Sequence, residues 1–398
     1  MPLATIPEAM SELEAGKCIV IVDDEDRENE GDLACAAGMV TPEHIAFMAK
    51  HASGLIVTPM PASRLDELQI EPMAHRNTER FGTAFTVSVE AKELVTTGIS
   101  AHDRSATVRH LIDPRAHPAD FAKPGHTFPL RAEPGGVLRR AGHTEAIVDL
   151  ARLSGLYPAG VLCEVMRDDG EMAKLPDLEK LAAEHDLKIV TIKDLVAYRR
   201  RTEKLVECQV VAQIPIGEEL WKAYAYEDLV SGAVHAALVL GEIDPAEPIL
   251  LRVHSRCLTG DVFQSRRCDC GPQLAAAMDQ ISAEGRGLVL YITDHEGRGI
   301  GLVDKLRAYN LQDEGLDTVE ANAALHQPAD SRDYGIGNQI LADLGVRRMR
   351  LLTNNPRKLV AVEGFGLEVT EQVPIRITPN YHNERYLRTK REKLGHLL

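Results

Sequence analysis

Aromatic residues are scarce: they make up 4% of the 398 residues, with a single tryptophan. The interleaving of basic and aromatic side chains by which proteins stack nucleic-acid bases is therefore missing. Positive charge is also in deficit. Lys and Arg number 45 against 60 Asp and Glu, a net charge of −15, and so acidic a chain is repelled by phosphate backbones and anionic lipid. Nucleic acid and membrane are thus not expected as partners, and any anionic ligand must be held by local arginine, lysine or metal. No apolar run approaches the ~20 residues of a membrane span. The opening MPLATIPEAMSELEAGK is acidic and reads as a short helix, unlike a signal peptide. The seven cysteines are an odd number, which speaks against a disulfide framework and for the reducing cytoplasm.

What is present is ordinary globular composition, 44% hydrophobic and 26% charged, in a chain long enough for two or three domains. Short β-branched runs (KCIVIV, KIVTI, CQVVAQIPI, GLVLYIT, RMRLLT) alternate with helical patterns such as PDLEKLAAEHDL and QLAAAMDQISAEG. The expectation is an α/β (mixed α+β) fold of two consecutive domains, each a mixed β-sheet flanked by helices. The basic, polar segment from Arg199 to Lys204 reads as a solvated linker, dividing the chain into 1–202 and 203–398.

Chemistry concentrates in a few stretches. Cys257, Cys268 and Cys270 have ten residues between the first two and one between the last two. Thiolate is a soft ligand that selects zinc over magnesium. Three protein ligands leave one position open, the arrangement of catalytic zinc. His254 is a nearby candidate for a fourth, but it lies in the apparent strand ILLRVHS, where alternation turns it away. Buried thiols without metal are the plainer alternative. In the first half the acidic run from Asp23 to Asp32 follows a strand, where ligand sites gather. Its hard oxygens suit Mg²⁺ or Mn²⁺, and Arg27 within it can hold a phosphate; a solvated acidic loop is the alternative. Two Gly-His-Thr triplets, at 125–127 and 142–144, combine backbone freedom with an imidazole. Glu164 lies in the apolar run GVLCEVM and needs a partner there. Glycines 297, 299 and 301 around Arg298 suit a phosphate-wrapping loop, and LLTNNPRK is a strand-to-helix turn with cations at the helix start.

The motifs DDEDRENEGDL, NTERFGTAFTVS, TTGISAHDRSATVR, KPGHTFPLRA, RRAGHTEAIVDL and AGVLCEVMRDDGEMAKLPDL together resemble 3,4-dihydroxy-2-butanone 4-phosphate synthase, from Ile6 to about Arg200. The resemblance implies conversion of D-ribulose 5-phosphate to L-3,4-dihydroxy-2-butanone 4-phosphate and formate. It implies Glu28 and His143 as ligands of Mg²⁺ or Mn²⁺. Arg27, Glu28, Asp32, Arg140, Ala141, Gly142, His143, Thr144 and Glu164 fall at substrate-binding positions, with His126 and Glu164 essential for turnover. Val57 stands where the family commonly has cysteine.

RVHSRCLTGD, SRRCDCG, EGRGIGL, DTVEAN, ADSRDYGIG and LLTNNPRK are similar to GTP cyclohydrolase II, from about residue 205 to the C-terminus. That resemblance implies hydrolysis of GTP to 2,5-diamino-6-(5-phosphoribosylamino)pyrimidin-4(3H)-one with release of formate and pyrophosphate, and Zn²⁺ on Cys257, Cys268 and Cys270. Arg252, Val253, His254, Ser255, Arg256, Gln273, Glu296, Gly297, Arg298, Tyr309, Thr318, Thr353 and Lys358 fall at GTP contacts. Asp330 matches the proton acceptor and Arg332 the proposed nucleophile toward the α-phosphate. A guanidinium stays protonated and is a poor nucleophile, so stabilising the transferring phosphoryl group is its simpler role. Two positions depart from the family: Arg256 replaces a usual glutamate, and His326 a usual glycine. Arg256 either meets a phosphate of GTP or displaces a carboxylate from the guanine end. Both halves in this order resemble the bifunctional riboflavin-biosynthesis enzymes, expected as a cytoplasmic homodimer acting on two small molecules. The alternative, for which Arg256 speaks, is a C-terminal half that is a zinc-bearing nucleotide-binding regulator or scaffold without turnover of its own.

Overall fold

Apolar residues form hydrophobic cores against both faces of two seven-stranded sheets, one in each half of the chain. A computed structural model describes residues 3–24, 27–327, 332, 334–355 and 365–395. It divides into two compact units, Met1–Thr202 and Glu203–Leu398. Asp330 and Lys358 lie outside the described residues.

The first sheet consists of β1 (Ile19–Val22), β2 (Gly31–Ala36), β3 (Val57–Pro61), β4 (Val89–Ala91), β5 (Phe121–Ala132), β6 (Gly160–Glu164) and β7 (Ile189–Thr191), in the order β4-β5-β3-β6-β2-β1-β7. Pairing is mixed: β1–β7 and β3–β5 are parallel, the other neighbours antiparallel. The period of two sends Ile19 and Ile21 to one face and Val20 and Val22 to the other. Helices Ile6–Glu14, His143–Leu153 and Ile192–Thr202 cover the first face; Pro42–His51, Ala101–Leu111 and Leu175–His185 cover the second. Val57 points into the core between β3 and the helix at 143–153.

The second sheet runs β14-β13-β11-β12-β10-β9-β8. Its strands are β8 (Val206–Ile216), β9 (Glu219–Asp228), β10 (Val234–Leu240), β11 (Ile249–Ser255), β12 (Gly287–Ile292), β13 (Arg348–Leu352) and β14 (Glu368–Val373). The run β8–β9–β10–β12 is antiparallel, and β12–β11–β13–β14 is parallel. Helix Cys270–Glu284 packs Ala277 and Ile281 on one face, and helix Gly335–Asp343 packs Ile340 and Leu341 on the other. The α/β architecture with two mixed sheets is the expected one. Among the described residues no helix is long and apolar enough to cross a membrane.

The basic segment read as a solvated linker is partly something else. Arg199 to Thr202 complete the helix Ile192–Thr202. Arg199 is buried, with Nη1 2.7 Å from both the Gly135 carbonyl and Asp149 Oδ2. A charge run looks solvated in one dimension; the partner that buries this one lies 50 residues away.

His326 sits two residues past the helix Thr318–Ala324 with φ of 55°, the left-handed conformation favoured by glycine at a helix C-terminus. This is the physical cost of the departure noted above. Replacing His326 by Gly should stabilise the second unit by about 1 kcal/mol. The check is a higher urea midpoint at unchanged slope; an unchanged or lower midpoint contradicts it.

Candidate active sites

In the first unit, the loop between β1 and β2 folds back on its own carboxylate. Asp23 Oδ1 accepts the Glu30 N–H at 2.9 Å; Oδ2 accepts the Glu28 N–H at 3.1 Å and Arg27 Nη1 at 2.9 Å. Arg27 Nη1 also lies 2.6 Å from Glu28 Oε1, and its guanidinium stacks 5.2 Å from the Phe81 ring centroid. Lys174 Nζ ties down the Asn29 carbonyl at 2.8 Å. The result presents Asp23 and Glu28 to His143, the first residue of helix His143–Leu153, with donor atoms of all three within 4.8 Å of one another. His143 Nε2 is buried with no hydrogen-bond partner among the described residues. An orphaned imidazole nitrogen beside two carboxylates fits a bound hard cation. Burial pushes His143 below the usual histidine range, which keeps it neutral and able to ligate. Burial also pushes Glu28 up, against the pull of Arg27 and His143.

Register supplies the next pair. β2 and β6 align Asp32 directly opposite Glu164. Glu164 Oε2 accepts the Leu55 N–H at 2.9 Å. Asp32 is buried, and burial together with Glu164, Glu28, Glu30 and Asp23 holds its carboxyl well above the usual range. The site is a nest of acids in which Asp32 has the most strongly raised proton affinity.

Arg140 spends its donors on the protein: Nε on the Phe81 carbonyl (3.1 Å), Nη1 on Glu145 (2.6 Å) and Nη2 on Thr83 Oγ1 (2.9 Å). It therefore fastens the 77–83 loop to the helix that carries His143. Gly142 caps that helix without a side chain, next to the buried Thr144, so its first-turn amides are an anion site. His126 lies on β5, half-exposed, with Nδ1 2.7 Å from Glu90 Oε2. Gly98, at φ +86°, leaves room for this pair; a Cβ there would fall 1.9 Å from Glu90 Oε2 and 2.6 Å from His126 Nδ1.

In the second unit, Cys257 follows β11, and Cys268 and Cys270 lead into helix Cys270–Glu284. The three sulfurs form one group within 4.8 Å, with Cys257 and Cys268 Sγ 3.7 Å apart. Gly260 packs over them: a Cβ would come 2.8 Å from Cys268 Sγ and 3.1 Å from Cys257 Sγ. The three-thiol donor set and the space kept by a missing methyl fit zinc. His254 is not in the group; its Nε2 lies 3.1 Å from both Asp261 oxygens. Hydrogen bonds from Cys268 and Cys270, with Lys305 behind them, hold Cys257 well below the usual thiol range. Sharing with Cys257 pushes Cys268 up to about 11. Lys305 Nζ is 3.1 Å from Cys257 Sγ and 2.6 Å from Glu296 Oε1.

These sulfurs open onto a cavity that is partly open to solvent. Of the residues expected at GTP, Arg252, His254, Ser255, Arg256, Gln273, Gly297, Arg298, Tyr309, Thr318 and Thr353 line it, and so does Arg332. Val253 packs its side chain into the core instead. Glu296 faces Lys305, the Leu258 N–H (2.7 Å) and Arg256 Nε (3.7 Å). Arg252 is buried, donating to the Leu352 carbonyl (2.8 Å) and Gln273 Oε1 (2.6 Å). Arg332 Nη1 is 3.4 Å from Ser255 Oγ. Sequence reasoning missed Asp23, Glu90, Gly260, Arg267, Lys305 and Lys390. Asp23 stands first in the acidic run, and Gly260 and Arg267 stand inside the motifs that carry the cysteines; Glu90, Lys305 and Lys390 become visible only through contacts distant in sequence.

The chain matches the family model for 3,4-dihydroxy-2-butanone 4-phosphate synthase over residues 7–198 and that for GTP cyclohydrolase II over residues 207–374. The riboflavin biosynthesis protein RibBA of Salinispora arenicola is 58% identical over 394 residues, 99% of this chain and 94% of its own. RibBA of Aquifex aeolicus is 57% identical over 395 residues, 99% of this chain and 97% of its own. Among solved structures, RibBX of A. baumannii, a two-domain 3,4-dihydroxy-2-butanone 4-phosphate synthase, is similar at a TM-score of 0.71 and 38% identity, covering 94% of this chain and 100% of its own.

The raised carboxyl of Asp32 has a stability consequence. A folded-state value above the unfolded one means the fold binds the proton more tightly. The group costs nothing below the usual Asp range of about 4, and its cost grows as pH rises above that. In metal-free protein, Asp32→Asn, which imitates the protonated acid, should therefore raise the melting temperature at pH 7–8, with the gain shrinking toward pH 4. A variant less stable than wild type at pH 8 would contradict this.

Proposed function

The chain belongs to the family of bifunctional riboflavin-biosynthesis proteins that join 3,4-dihydroxy-2-butanone 4-phosphate synthase to GTP cyclohydrolase II, and from that premise we propose how its residues divide the work. It is an enzyme with both activities. We assign the first activity to residues 1–202, acting on ribulose 5-phosphate, and the second to residues 203–398, acting on GTP.

In the first half, Glu28 and His143, with Asp23 beside them, would hold Mg²⁺ or Mn²⁺. When bound, such an ion stabilises the negative charge of an enediol formed next to a carbonyl. The substrate phosphate goes to the amides that open the helix at His143, next to Thr144 and Gly142. Asp32, whose carboxyl burial and its neighbours push up, is our candidate proton donor, facing Glu164 across the β2–β6 register. Glu90 fixes His126 through Nδ1 and leaves Nε2 to exchange a proton with substrate. Each such group contributes roughly 10²–10⁴-fold.

In the second half, Cys257, Cys268 and Cys270 would hold zinc, which when bound supplies a water of pKa near ~7 for attack on the purine. The observation that carries GTP is the charge of the cavity. In a chain of net charge −15, it is lined by Arg252, Arg256, Arg267, Arg298, Lys305, Arg332 and Lys390 and, among the described residues, by no acid. That is a receptacle for a polyanion such as a triphosphate. Arg332, next to Ser255, stabilises charge on the α-phosphate during pyrophosphate release. Asp330, outside the described residues, remains the proposed proton acceptor and Lys358 a proposed phosphate contact.

We also propose a homodimer in the cytoplasm. All seven cysteines are free, in keeping with a reducing compartment. The edge strand β8 exposes Val210, Val211 and Ile214, with Leu220 adjacent on β9, an edge that a second copy would cover.

A crossed assay tests the division. Glu28→Ala should lower dihydroxybutanone phosphate formation at least about 10²-fold while formate and pyrophosphate release from GTP stays within about twofold of wild type. Gly260→Ala should do the reverse and lose zinc, because its methyl enters the space between the sulfurs. Loss of both activities in either folded variant would sink the assignment, as would full zinc content and GTP turnover in Gly260→Ala.

A further inference from the structure

A third cluster of donor atoms lies away from both groups described above. Asp228 ends β9, His235 is the second residue of β10, and Asp294 stands two residues beyond β12. These three strands are neighbours in the sheet, so pairing register brings together residues that span 66 positions of sequence. Donor atoms of the three side chains lie within 4.8 Å of one another.

The imidazole carries the argument. His235 is fully buried, at 0% exposure. Its Nδ1 is held by Thr293, 3.1 Å from the hydroxyl and 3.2 Å from the backbone N–H. The Thr293 hydroxyl gives its own proton to the Val234 carbonyl at 2.8 Å, so toward the ring it acts as an acceptor. The Thr293 N–H can only donate and draws on an Nδ1 lone pair, whereas the hydroxyl can accept an Nδ1 proton; in that second arrangement Nε2 presents its lone pair, the pattern by which proteins orient a metal-binding histidine. Nε2 itself is buried with no hydrogen-bond partner among the described residues. In the first arrangement the proton sits on Nε2 without an acceptor, and a cation binding there shifts it to Nδ1, against the Thr293 hydroxyl.

A proton alone is a poor way to fill the gap, since burial pushes His235 below the usual histidine range, against the pull of Asp294 and Asp228. Asp228 is already oriented: Oδ1 accepts the Val230 N–H at 2.8 Å, and Oδ2 accepts Ser231 Oγ at 2.5 Å. Each oxygen keeps a second lone pair. Asp294 is exposed; one of its oxygens lies 3.9 Å from His295 Nε2.

We propose that Asp228, His235 and Asp294 form a binding site for a divalent transition-metal ion with a nitrogen–oxygen–oxygen donor set, and that the ion pins the start of the 293–299 loop. The donor set suits zinc or manganese: imidazole favours the former and carboxylate the latter, and neither ligand type is as soft as the thiolates of the cysteine group. The loop matters because its next residues, His295, Gly297 and Arg298, line the large cavity. His295 Nδ1 also touches Ser255 Oγ at 3.2 Å. An ion at Asp294 would hold that wall in place without touching what the cavity binds.

The test uses the full chain, stripped with chelator and dialysed against buffers of increasing free Zn²⁺. Bound zinc is counted per chain, and amide hydrogen exchange is followed across residues 293–299. Wild type should bind one zinc more than Asp294→Asn and one more than His235→Asn. Asp244→Asn, a turn carboxylate outside the cluster, should match wild type. Zinc should slow exchange in the 293–299 amides of wild type at least about tenfold more than in Asp294→Asn. Because Asp294 is exposed, its variant should fold even if the His235 variant does not, which thermal melting without metal will show. Equal zinc uptake by wild type and Asp294→Asn at every free concentration overturns the site. Extra zinc in wild type without loop protection overturns the pinning.

Discussion

Both active sites rest on one constraint: like charges are packed together where water cannot dilute them. The first unit brings Asp23, Glu28, Asp32 and Glu164 into mutual range, and the second brings three thiols within contact of one another. Two carboxylates opposite each other on neighbouring strands are destabilising, and so are several thiolates sharing one sulfur-lined space. The fold responds in two ways. It pushes the pKa of some members up, as for Asp32, Cys268 and Cys270. It also builds in one cation per site: Arg27 bridges Asp23 and Glu28, and Lys305 bridges Cys257 and Glu296. Neither device neutralises its site, so a divalent ion is the natural complement. Preorganised charge of this kind costs stability in the free protein and is repaid only when metal and substrate arrive.

How much was legible follows from how local each feature is. The acidic loop was readable because its donors, acceptors and cation lie within ten residues, and that loop folds onto its own Asp23. The two close cysteines were readable because spacing alone brings them together. His254 lines the same cavity as the sulfurs but is no member of their group; its Nε2 faces Asp261. Asp32 facing Glu164 was out of reach, since it depends on the register of β2 against β6 across 132 positions. Lys305 was equally hidden. It lies 48 residues beyond Cys257, in a helix whose composition gives no hint that one lysine turns inward. Arg199 shows the opposite failure, a residue that looked solvated because it stood in a charge run and is buried because Asp149 waits for it.

A continuous motif misled in one place. Arg252, Val253, His254, Ser255 and Arg256 form a continuous motif, and a motif invites reading every member as a contact. In β11 successive side chains take opposite faces. Arg252 and His254 therefore reach the cavity, while Val253 goes into the core. Even Arg252 is built in, its guanidinium shared between Leu352 and Gln273, and Gln273 in turn holds Asp269, which Lys390 neutralises. That chain of polar groups ties β11, β13, the helix at 270–284 and the C-terminal helix Glu384–Leu394 to one wall of the cavity. The arginine most securely inside the motif thus acts first as a strut.

Arg256 is where the sequence departs from its relatives in charge, and the structure gives it a role that neither expected reading included. Its Nε lies 3.7 Å from Glu296 Oε2, the oxygen that also accepts the Leu258 N–H. Glu296 is thus held by a cation on each side, Lys305 at Oε1 and Arg256 at Oε2. A glutamate at 256 would instead face Glu296 and leave Lys305 to balance two carboxylates and a thiolate. Arg256 is half-exposed, and an exposed partner adds little to stability, at most about 1 kcal/mol. Its effect is better sought in the field of the cavity. It adds one positive charge to a wall that holds no described acid, which strengthens the pull on a polyanion while the sulfur group and its lysine stay as they are. The reversal of charge therefore acts on the field of the cavity and leaves the sulfur group and its lysine as they are.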